Sequence, residues 1–134
     1  MDAYRFLAAV LFFYEVFRIL FLVILLFISP QETSLSAILP VYISSNALFP
    51  LMALFVWLRP LEHRNYLTLY IAGKIIIVVS FFAWQFFSSW DFVWFPDTVR
   101  IILVLGAYIL LNFTDILSVW GAWAIKNRYK RSDI

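Results

Sequence analysis

Four long apolar stretches, separated by short polar segments, set the frame of the chain. They run from about Phe6 to Ile28, Ala37 to Leu58, Tyr66 to Phe87 and Val99 to Ile125. A helix needs about 20 mostly apolar residues to cross the hydrocarbon core of a bilayer, and each stretch meets that length. The breaks between them are equally readable. Ser29-Pro30-Gln31-Glu32-Thr33-Ser34 is a polar turn with Ser34 or Ser36 placed to cap the next helix. Arg59-Pro60-Leu61-Glu62-His63-Arg64-Asn65 is charged and broken by proline. The third break, Ser88 to Thr98, is longer and aromatic, with Asp97 at the expected N-cap of the fourth helix. Short connections make successive helices antiparallel neighbours. The pattern predicts an all-α polytopic membrane protein, a four-helix antiparallel bundle forming one transmembrane domain over residues 1–134.

Composition sharpens this reading. The 134 residues are 65% hydrophobic and only 13% charged, against about 45–50% and about 25% in soluble domains. So small a domain has too little interior to hide that much apolar surface. Lipid is therefore the expected surroundings. The apolar part of the first span is far longer than a signal-peptide core, and no Ala-x-Ala-like site follows it, so a retained first helix is expected.

Charge gives orientation. Arg5, Arg59, Arg64, Lys126, Arg128, Lys130 and Arg131 all fall on one side of four alternating helices. The opposite loops hold Glu32, Asp91 and Asp97 and no base, with Arg100 able to snorkel from the end of the fourth span. Lys and Arg in short flanks mark the cytoplasmic side, so both termini are expected in the cytoplasm of a cell inner or plasma membrane. Tyr4, Trp57, Tyr66, Tyr70, Trp120, Trp123 and Tyr129 fit an inner aromatic belt, and Trp90 and Trp94 an outer one. The tail Lys126–Arg131 reads as a topology anchor.

The exceptions inside the spans carry the candidate chemistry. Ionisable groups at bilayer depth are costly and mark sites by default. Glu15, Lys74 and Asp115 lie about 12–14 Å from the inner ends of their spans, at 1.5 Å per helical residue. On that scale Arg18, Asn46 and Asn112 lie about 18 Å deep. Glu15 and Arg18 share a helix face, as do Asn112, Asp115 and Ser118, and Lys74 and Gln85. Two acids and two bases sum to zero. The expected pairs are Glu15 with Lys74, and Arg18 with Asp115 and Asn112. Pro50 cannot donate to the carbonyl of Asn46, so a kink is expected there.

Other signals are weak. The chain has no Cys and one His, which excludes disulfides, thiolate metal sites and an intrachain bis-His pair. Neither a phosphate loop nor a nucleophile elbow occurs. The sequon at Asn112 falls inside a span, and His63 falls in the charged loop, where a solvated ring is expected. The sequence thus points to a non-enzymatic accessory or structural subunit, without catalytic residues, cofactor or metal. Its expected partners are lipid and other membrane subunits or itself, not nucleic acid. The competing expectation is a small oligomeric transporter or channel with Glu15, Arg18, Lys74 and Asp115 along its path.

Overall fold

The computed structural model describes residues 3–28, 34–87 and 98–131, and these form five helices with no strand among them. They are α1 (Ala3–Ile28), α2 (Ser34–Asn46), α3 (Leu48–Leu58), α4 (Arg64–Phe87) and α5 (Thr98–Arg131). Glu32, Trp90, Asp91, Trp94 and Asp97 lie outside the described residues, as do the side chains of Ser34, Ser36, Gln85, Arg100, Lys130 and Arg131. Four segments are long and apolar enough to cross a membrane: Ala3–Ile28, Pro40–Leu58, Arg64–Ala83 and Gly106–Tyr129.

The second segment is interrupted at Ala47, which separates α2 from α3 while its own backbone stays right-handed helical, at φ −64° and ψ −20°. Pro50 has no N–H for the carbonyl of Asn46, so the hydrogen-bond ladder loses a rung there. The amide of Ala47 turns back to the carbonyl of Ser44 at 3.3 Å, a tight three-residue step instead of the helical four. Pro40, by contrast, is carried inside α2. At the other end, Pro60 disfavours helical backbone in the residue before it. Arg59 accordingly leaves the helix at φ −140° and ψ 78°, and its amide closes the last turn on Phe55 at 2.9 Å. Helix α5 runs six residues beyond the expected end at Ile125. Lys126–Arg131 is polar but rich in helix formers, so the apolar pattern stops while the backbone continues.

The helices close a ring. The tightest packing joins α1 to α3 and α4 to α5, followed by α1 to α5 and α3 to α4. Two apolar clusters fill the two ends of the bundle. Near the termini, Ala8 and Leu11 meet Phe49, Ala53, Val56, Leu67, Ala122 and Ile125. At the far end, Leu22 and Leu25 meet Tyr108 and Leu111, backed by Ile43 and Phe81. These pairings make sequence neighbours antiparallel. The outer surface is also apolar, with Phe17, Phe27, Ile76, Phe86, Ile109 and Trp120 exposed around the ring. A helix apolar on all sides belongs in a large core or in lipid.

Candidate functional site

Between the two apolar clusters lies a chain of alternating charge that touches every segment of the ring. Lys74 on α4 is held between Glu15 Oε1 on α1 at 2.7 Å and Asp115 Oδ1 on α5 at 2.8 Å. Asp115 Oδ2 takes Arg18 Nη2 on α1 at 2.6 Å. Arg18 Nη1 donates onward to Asn46 Oδ1 at the end of α2. Glu15, Lys74, Asp115 and Asn46 have no exposure and Arg18 has 2%. The order is acid, base, acid, base, then a neutral amide. Each ion faces opposite charge, which offsets the several kcal/mol that burying a bare ion costs.

Glu15 and Arg18 share a face of α1 but do not pair with each other; each reaches across to another helix. Asn112 does not join Arg18. Its amide donates to the carbonyl of Tyr108 one turn earlier, at 2.9 Å. A local side-chain-to-backbone bond needs no tertiary reach and competes well with a distant partner. Asn46 takes Asn112's expected place on Arg18, because the break at Ala47 ends α2 beside the guanidinium.

Tyrosines complete the site, and they are absent from the set the charges pointed to. Tyr70 is buried and donates to Glu15, so it belongs to the interior and not to an aromatic belt. Tyr14 donates to Asp115 Oδ1 at 3.0 Å and contacts Thr114 Oγ1 at 2.9 Å. Tyr42 accepts from Arg18 Nη2 at 3.2 Å. Phe49 lays its ring 4.6 Å from Lys74 Nζ, a cation–π contact that solvates the ammonium without adding charge. Gly73 makes room for it, since a Cβ there would stand 3.0 Å from Phe49 Cζ.

The sequence did carry a signal for these tyrosines. Each spanning segment has one four residues before its polar residue: Tyr14 and Arg18, Tyr42 and Asn46, Tyr70 and Lys74, Tyr108 and Asn112. The pattern is tyrosine before a cation, then tyrosine before an asparagine, stated twice. Interior packing keeps the same register, with Leu11 matching Leu67 and Val56 matching Ala122, all buried. Exchanging the halves maps the α1–α3 contact onto α4–α5, and α1–α5 onto α4–α3. The acids break the repeat, because Glu15 matches Ile71 and Asp115 matches Phe49.

Among the described residues four buried polar atoms have no partner: Glu15 Oε2, Arg18 Nε, Tyr108 Oη and Asn112 Oδ1. No three His, Asp or Glu side chains among the described residues gather as a metal ion requires. His63 is half-buried rather than solvated, its ring stacked 5.1 Å from that of Tyr66 and 5.2 Å from Phe55.

Fold and site together define an all-helical bundle of four membrane-length segments around an ion-paired polar core. No family model, curated protein or solved structure matches the chain.

Proposed function

We propose that the protein is a four-span integral membrane protein of a cell inner or plasma membrane, with both termini in the cytoplasm. Its role is that of a non-enzymatic accessory or structural subunit, docking to other membrane proteins or to copies of itself. The observation that carries this reading is the closure of the Glu15–Lys74–Asp115–Arg18 chain. All four charges are answered within the bundle, and they tie three helices directly and the fourth segment through Asn46. A carrier site needs free valences for its cargo, whereas a neutral, internally paired network fixes helix register and orientation. The apolar exterior and the one-sided bases support the membrane placement and its direction.

A second reading, a small oligomeric transporter or channel, draws on the four unpartnered polar atoms. Copurification in mild detergent separates the two. A stoichiometric unrelated membrane partner, with no solute flux from the protein alone in liposomes, is the expected result. A lone homo-oligomer that carries solute would replace the accessory role with transport.

A further inference from the structure

The two halves of the chain repeat one tyrosine–asparagine arrangement, and in the first half the protein's own cation spans it. In the first half, Asn46 turns its amide nitrogen onto the carbonyl of Tyr42 at 2.6 Å. This leaves Asn46 Oδ1 facing inward beside the Tyr42 hydroxyl. The guanidinium of Arg18 spans the pair, with Nη1 on Asn46 Oδ1 and Nη2 on Tyr42 Oη. In the second half, Asn112 turns its amide nitrogen onto the carbonyl of Tyr108 in the same way, at 2.9 Å. Here Asn112 Oδ1 and Tyr108 Oη are both without a partner. The matching cation, Lys74, is drawn away to Glu15 and Asp115.

We propose that Tyr108 and Asn112 form a binding site for a small uncharged molecule that presents O–H or N–H donors, with water the smallest that fits the description. Three observations fix this class. Both residues are only 4% exposed, and a buried acceptor left unmatched is costly, so a guest is stabilised there. Asn112 repeats the amide turn of Asn46, four residues after a tyrosine as in the pair that holds Arg18, so the guest offers donors as Arg18 does. The two acids and two bases of the core already cancel, and neither acid is left to balance a further ion. The guest is therefore neutral. A buried water needs two to four polar partners; Asn112 Oδ1 and Tyr108 Oη supply two. Tyr42 and Tyr108 both pack on Phe81, at 6.2 and 5.2 Å between ring centroids. Glu15 Oε2 is a single unpartnered acceptor on a carboxylate already paired with Lys74, and does not meet the same requirement.

The test is hydroxyl-radical labelling by X-ray radiolysis on the purified chain in nanodiscs, which marks side chains that hold water. Tyr108 and Tyr70 are both buried tyrosines, so their comparison within one sample controls for exposure. Tyr108 is expected to be labelled several-fold faster than Tyr70. In Asn112→Leu and, independently, Asn112→Asp, labelling at Tyr108 is expected to fall for the leucine and persist for the aspartate, which keeps an acceptor. Millimolar urea, a neutral donor shaped like the guanidinium of Arg18, distinguishes the occupants. Protection of Tyr108 by urea assigns the site to small amides as well as water, and no protection assigns it to water alone. Equal labelling of Tyr108 and Tyr70 in the wild type overturns the proposal. So does labelling of Tyr108 that is undiminished in a folded Asn112→Leu protein.

Discussion

At the scale of residues, the core is a matter of which oxygen answers which nitrogen. Tyr70 and Tyr108 are both buried tyrosines four residues ahead of a polar side chain, yet they do opposite work. Tyr70 donates to Glu15, so Tyr70→Phe removes a hydrogen bond to a charged, buried acceptor. The expected cost is about 1.5–3 kcal/mol, the range for bonds to ions. Tyr108 makes no hydrogen bond within the protein, so Tyr108→Phe gives up only what a neutral guest supplies there and is expected to cost less than Tyr70→Phe, below about 1.5 kcal/mol. Thermal unfolding in detergent measures both, and a Tyr70→Phe protein as stable as Tyr108→Phe would contradict the assignment. The four charges were legible from sequence because an ion stands out against an apolar run. The tyrosines are not marked by residue type, because an amphipathic ring fits a membrane interface as well as a buried network; only their fixed spacing before a polar residue signals them. Asn112 was misassigned for another reason: polarity and depth place it beside Arg18, but the carbonyl of Tyr108 lies one turn away on its own helix.

Helices are where sequence patterning spoke most plainly. The four apolar runs recur as α1, α2 with α3, α4 and α5, with ends displaced by a few residues where polar helix formers extend the backbone. The position of the break in the second segment was readable from Pro50, but its depth was not. At the break the amide of Ala47 closes on Ser44 in a three-residue step, and the side chain of Asn46 receives Arg18. Close contact between elements gives a sharper test. Gly73→Ala places a methyl 3.0 Å from the Phe49 ring, a ring already held by Tyr70 edge-on at 5.3 Å and by Lys74. Overpacking of this kind costs about 1–3 kcal/mol, against about 1 kcal/mol gained in helix propensity. The net expectation is destabilisation, with the ring displaced from Lys74. Gly106→Ala meets nothing within 4 Å and is expected to be neutral or mildly stabilising. Melting temperatures of the two variants decide it, and equal values would show that Phe49 gives way.

Over the whole molecule two asymmetries coincide: apolar surface outside, and bases gathered toward one end of the spans. A reporter fused after Ile134 is expected to signal from the cytoplasm, and one inserted between Gln31 and Thr33 from the opposite side. Reversed signals would overturn the orientation, which rests on the one-sided distribution of Lys and Arg. The central claim is that the buried charges hold the bundle together by pairing with each other. A double-mutant cycle on Glu15 and Lys74 tests it most directly, because their 2.7 Å contact joins α1 to α4. Glu15→Gln alone strands part of a buried cation and is expected to cost about 3–5 kcal/mol. Adding Lys74→Met removes the stranded charge and leaves Asp115 with Arg18, so the double variant is expected to recover most of that loss. A double variant as unstable as the sum of its singles would mean that the two charges do not act as a pair.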